Sequence, residues 1–209
     1  MKTLNPLRRA PMNDSRGVVE IRSRRCAKGQ AYLAPNWWVT RAARAALQAS
    51  LQAHAVDLYA FQCSDTGIAW MGAAPPSVLD SFADYVEMEL AERLAERIQG
   101  PLWGTRSCSR RLNPANVTLA HLADVLVSPV RAGRVRRAER YRGYGTLHQT
   151  LAPLRGVALQ LLFPDFEEPE CIRVTPLPRY QALSPELYAE LVRRAVHERE
   201  VALSLKSAA

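Results

Sequence analysis

A chain of 209 residues with 48% hydrophobic side chains can bury one substantial core, and its formal charge of +8 favours a polyanionic partner. No 18-residue apolar run is present, which excludes a membrane-spanning helix of the usual kind, and nothing resembles a signal peptide. Four scattered cysteines, Cys26, Cys63, Cys108 and Cys171, show no C-x-x-C spacing, and with His54, His121, His148 and His197 they form no metal-ligand pattern, so the expectation is a cytoplasmic protein with reduced thiols.

The charge is segregated. Residues 1–60 carry a formal +7, 61–100 carry −5, 101–155 carry +8 and 156–209 carry −2. Lysine is confined to Lys2, Lys28 and Lys206. Nearly all the cationic groups are therefore guanidinium forks, which can grip phosphate or guanine in two-pronged fashion.

Residues 1–16 are polar and basic and are expected to form a loose arm. Residues 18–24, VVEIRSR, alternate as a strand, with Glu20, Arg22 and Arg24 on one side. The alanine-rich stretch 37–54 has helical period, with Asn36 or Thr40 as its cap. Residues 56–72 read as two strands joined by Ser64-Asp65-Thr66-Gly67. In that reading Gly67 supplies a positive φ, Leu58, Ala60 and Gln62 point one way, and Tyr59, Phe61 and Cys63 point the other.

Ser77 is the expected cap of a helix over 78–99, with Leu79, Phe82, Val86, Leu90 and Leu94 as its buried stripe. Its carboxylates, Asp80, Asp84, Glu87, Glu89, Glu92 and Glu96, read as a solvated face. Residues 102–112 form a strand bearing Arg106, Arg110 and Arg111, and a helix follows over 115–127. The run Arg131, Arg134, Arg136, Arg137, Arg140 and Arg142, interleaved with Tyr141, Tyr144 and glycines, has the composition of a loop that follows a phosphate backbone and stacks on bases. Two further strands, 157–163 and 171–177, precede a helix that Ser184, Pro185 and Glu186 start.

Up to residue 112 the order is β-α-β-β-α-β. The expected fold class is α+β: a ferredoxin-like antiparallel sheet with helices on one face, plus a C-terminal strand-strand-helix extension. The expected division is an arm at 1–16, a main domain at 17–150 and an extension at 151–209.

Several segments resemble the REP-associated tyrosine transposases, relatives of the small HUH transposases of insertion sequences. Residues 56–61, VDLYAF, are similar to the family's hydrophobic-His-Ala-Phe strand, and residues 102–106, LWGTR, to its Phe-Trp-x-x-Arg strand. Residues 128–135, SPVRAGRV, resemble Asn-Pro-Val-x-Ala-Gly-Leu-Val. The resemblance spans about residues 18–145.

The family places two histidines of Asn-His-x-His where Gly67 and Ala69 stand here. There they hold a magnesium or manganese ion that prepares a phosphate for attack by tyrosine. Neither residue here has a ligand atom, so no cofactor is expected. The nucleophile's usual position falls near Leu90, and Tyr85 is the candidate one turn earlier. The resemblance implies a homodimer and, for this degenerate member, binding of single-stranded or hairpin DNA without cleavage. The expected contacts are Arg22, Arg24, Arg25, Arg106, Arg110 and the Arg131–Arg142 run with Tyr141 and Tyr144. Two rivals are an active nuclease with ligands drawn from Asp57, Asp65 or the acidic helix, and a scaffold turned to protein partners.

Overall fold

The computed structural model describes residues 17–155 and 172–208. The arm expected at 1–16 and the strand expected at 157–163 lie outside the described residues.

Four strands, β1 (Val18–Cys26), β2 (Asp57–Ser64), β3 (Gly67–Ala74) and β4 (Trp103–Leu112), form an antiparallel sheet in the order β2-β3-β1-β4. This is the ferredoxin-like order that the sequence pattern predicts. The first helix, α1 (Trp37–Ala53), is capped by the Asn36 side chain, which accepts from the Val39 N–H at 2.8 Å. The acidic helix α2 spans Pro76–Leu94. It starts at Pro76 with no side-chain cap, so Ser77 sits inside the first turn.

Both helices lie on one face of the sheet. Leu47 and Val39 of α1 meet Phe82, Val86 and Leu90 of α2 over Phe61, Trp70 and Ile68. Each large apolar side chain so buried contributes about 1.5–3 kcal/mol.

The opposite face is covered too, which the sequence pattern left unassigned. After a 3-10 turn at Pro114–Asn116 come α3 (Leu119–Leu126), α4 (Ser128–Arg131), α5 (Leu147–Arg155) and the long α6 (Pro185–Ala208). Leu122, Leu126, Tyr188, Val192 and Val196 from these helices pack on Val19, Met71 and Ala73 of the sheet. Ser184 opens α6 as expected, with its hydroxyl accepting from the Leu187 N–H at 3.3 Å. Residues 172–177, expected as strand, have no strand structure; their backbone tie to the sheet is Thr175 N–H to Leu58 O at 2.8 Å.

Two local expectations are corrected by backbone geometry. The pairing of β2 with β3 slips between Leu58 and Ala60, so Leu58 and Phe61 share the α1–α2 face while Tyr59 and Ala60 share the other. One unpaired residue in the ladder inverts the alternation beyond it. Gly67 does not take a positive φ. A Cβ there would collide with the Arg24 carbonyl, so glycine is required by close strand approach.

Candidate nucleic-acid interface

The arginines divide sharply into those with carboxylate partners and those without. Arg22 and Arg24 point under α2. Arg22 lies within 3.6–3.9 Å of carboxylates from Glu20, Asp80, Asp84 and Glu87, and Arg24 reaches Glu87 at 3.2 Å. Glu20 is fully buried and also accepts from Arg111 Nε at 2.9 Å, while Arg111 reaches Asp80 as well. Burial pushes the Glu87 carboxyl above the ordinary range, and Arg24 and Arg22 oppose that shift. The face of β1 expected to meet DNA is therefore spent inside the protein, against the acidic stripe expected to be solvated.

The other face of the sheet has a different character at one end. Helices α3 to α6 cover β2 and β3 toward Met71 and Ala73; at the far end Gly67 is buried and Ala69 is partly buried against the same cluster, and exposure begins beside them, at Arg25 and along β4. Across the ladder from Gly67 stands Arg25, and from Ala69 stands Ser23. Beyond them on β4 come Arg106, Cys108 opposite Ser23, and Arg110 opposite Ile21. Arg25, Arg106, Cys108 and Arg110 are all exposed, and among the described residues none of these three arginines has a carboxylate within ion-pair distance. Arg106 and Arg110 are four residues apart on one face of a strand, hence about 13 Å.

The arginine-rich segment adjoins the same end of the sheet. Its start is held at the β2–β3 turn, where Asp65 receives Arg134 Nε at 3.1 Å and the Tyr141 hydroxyl at 2.8 Å. Its middle is held from α6: Glu200, 7% exposed, accepts from the Ala138 N–H at 2.6 Å. Its end lies along β2, with Cys63 N–H to Tyr144 O at 2.8 Å and Thr146 N–H to Phe61 O at 2.9 Å. Gly133 takes φ +70°, the left-handed turn that lets the chain leave α4.

So anchored, the segment exposes Arg136, Arg137, Arg140 and Arg142. Arg131 instead pairs with Asp124 at 2.8 Å. Tyr141 and Tyr144, expected to stack on bases, are packing residues. Tyr141 is buried and its hydroxyl is pushed well up, first by burial and then by Asp65. Tyr144 lies against the Phe61 ring at 5.9 Å. The anchors Asp65 and Glu200 were missed as such in the sequence, since neither stands near what it holds, Arg134 and Tyr141 for Asp65 and the Ala138 N–H for Glu200.

The fold-related metal does not fit here. Gly67 cannot carry a side chain without moving the Arg24 backbone, Ala69 offers no ligand atom, and the neighbouring Arg25 would repel a cation. Among the described residues no three His, Cys, Asp or Glu side chains group so as to hold a metal ion. Asp65, Asp80, Asp84 and Glu87 are taken up by arginine or tyrosine. Tyr85 is half-buried on α2 beside the His54 ring at 5.5 Å, so the whole sheet separates it from Ala69. Leu90, where the family's tyrosine was expected, is fully buried.

No protein-family model matches the chain, and no curated protein matches it. Among solved structures, it is similar to a REP-associated tyrosine transposase bound to a REP hairpin, with a TM-score of 0.54 and 13% identity over 81% of this chain and 95% of that one. A transposase candidate from Deinococcus radiodurans R1 aligns at a TM-score of 0.42 and 12% identity, over 61% of this chain and 98% of the other. The first of these shows that the chain has a transposase-like fold. Among the described residues no helix is long and apolar enough to cross a membrane.

Proposed function

We propose that this chain uses a transposase-type scaffold to bind single-stranded or hairpin DNA, and that it does not cut the strand. The observation that carries the reading is the contrast among its arginines. Where an arginine is structural, a carboxylate stands beside it; at one end of the sheet Arg25, Arg106, Arg110, Arg136, Arg137, Arg140 and Arg142 are presented to solvent without one among the described residues. That is the footprint of phosphate recognition. The structural neighbour bound to a REP hairpin agrees with a hairpin ligand. The binding surface lies on one chain, so the reading needs no second copy.

Loss of cleavage follows from separation. A nucleophile must reach the phosphate that is being activated, and Tyr85 lies across the sheet from the open arginines. The test is anisotropy of a labelled hairpin oligonucleotide at several salt concentrations. Affinity falls by about 0.7 log units per log unit of salt for each single-strand phosphate neutralised. With manganese present, no covalent adduct forms, and Tyr85→Phe binds as the parent does. Salt-insensitive or absent binding refutes the reading, and an adduct lost in Tyr85→Phe replaces it with the nuclease reading.

A further inference from the structure

We infer that the position where related transposases hold their ion is here a direct phosphate receptor, in which the guanidinium groups of Arg25, Arg106 and Arg110 take over the charge that a divalent cation would supply. The inference rests on the DNA-binding reading above and adds to it the location and the metal independence of the contact.

Three observations carry it. At Gly67 the strands approach so closely that any side chain would strike the Arg24 carbonyl, so the first ligand position is closed sterically. Ala69 is partly buried, with Gln62 on its β2 side, but toward β1 and β4 its neighbours are small, Ser23 beside it and Cys108 beyond. On that face of β1 and β4 the charge of Arg25, Arg106 and Arg110 is exposed and uncompensated among the described residues, whereas Arg22, Arg24 and Arg111 on the opposite face of the same two strands are all neutralised.

A chain seeking only solubility has no reason to pair every arginine on one face of β1 and β4 and none on the other. A phosphodiester laid beside Ser23 and Cys108 meets donors from two strands. The Arg106–Arg110 spacing of about 13 Å allows more than one phosphate of a single strand to be held. Guanidinium contacts are two-pronged and always charged, so they need no ion to be present and none to be retained. A bound divalent ion would meet three like charges.

The experiment follows the arginine Nε–H signals of the whole protein by NMR while an eight-residue thymidylate oligonucleotide is added, in EDTA and then in magnesium at matched ionic strength. The expected result is displacement of the Arg25, Arg106 and Arg110 signals, with affinities equal within about twofold in the two buffers. Arg106→Gln combined with Arg110→Gln weakens binding at least about tenfold and lowers the salt slope by about 1.4, two contacts' worth. Both side chains are exposed, so the double variant folds, and its unchanged thermal midpoint checks this. Signals that stay still while hairpin binding persists through Arg136, Arg137, Arg140 and Arg142 overturn the inference and leave the DNA-binding reading intact. A tenfold gain in affinity on adding magnesium or manganese overturns it as well. Displacement by the thymidylate oligonucleotide without any hairpin affinity upholds the receptor and removes the hairpin ligand.

Discussion

Glu200 ties the closing helix to the arginine-rich segment, and its removal has a cost that can be estimated. The carboxylate is 7% exposed and accepts at 2.6 Å from the N–H of Ala138, itself 4% exposed. In Glu200→Ala that N–H is left buried without its acceptor. A hydrogen bond to a charged group contributes about 1.5–3 kcal/mol, and for a chain of this size each kcal/mol moves the midpoint by about 2–4 °C. The midpoint of thermal unfolding followed by circular dichroism should therefore fall by about 3–12 °C. Glu200→Gln, which keeps a carbonyl acceptor, should lose roughly half of that. The Ala138 amide should exchange faster in Glu200→Ala, and hairpin affinity should weaken severalfold at an unchanged salt slope, because no guanidinium is lost. A midpoint within about 1 °C of the parent, with Ala138 exchange unaltered, would refute the reasoning that this carboxylate positions the segment.

Three other outcomes are expected. Gly67→Ala forces its methyl against the Arg24 carbonyl and should destabilise by about 1–3 kcal/mol in urea unfolding, whereas a neutral result would mean that β1 and β3 can part at no cost. The Glu87 carboxyl has a folded value raised by burial above its ordinary 4.5, so its contribution to stability is full below that value and is lost as pH rises through the folded one. Glu87→Gln should therefore flatten that fall across a pH series of unfolding curves, and parallel curves for parent and variant would contradict the shift. Among Cys26, Cys63 and Cys108, iodoacetamide followed by peptide mapping should modify exposed Cys108 first, since Cys26 and Cys63 are buried and the Cys26 thiol is pushed up to about 11. Bound oligonucleotide should slow that modification by about fivefold, and no slowing would place the nucleic acid elsewhere.

Much of the framework was legible because its signals are local. Alternation marked Glu20, Arg22 and Arg24 as one side of β1, Asn36, one of two candidate caps with Thr40, marked the start of α1, and Ser184-Pro185-Glu186 marked the start of α6. The acidic stripe of α2 and the basic side of β1 were both visible, but their pairing was not, because it depends on which face of the sheet the helix covers. Charge complementarity between two consecutive amphipathic elements was the available clue. Tyr141 and Tyr144 were misread for the opposite reason: tyrosines among arginines look alike whether they face solvent or Asp65 and Phe61. The bulge at Tyr59 left no trace in the alternation of an almost wholly buried strand.

The two borders of the sheet are treated differently. The rim at β2 is closed by residues 144–146 and by Thr175, while β4 runs as a ten-residue border with seven successive side chains, Thr105 to Arg111, facing water. Such a border invites a second molecule to zip onto it, and like charge is a common deterrent. If nucleic acid coats Arg106 and Arg110 as proposed, that deterrent is masked, and loading of the ligand and self-association of the chain would become linked quantities, felt first where occupied copies crowd along one long polymer.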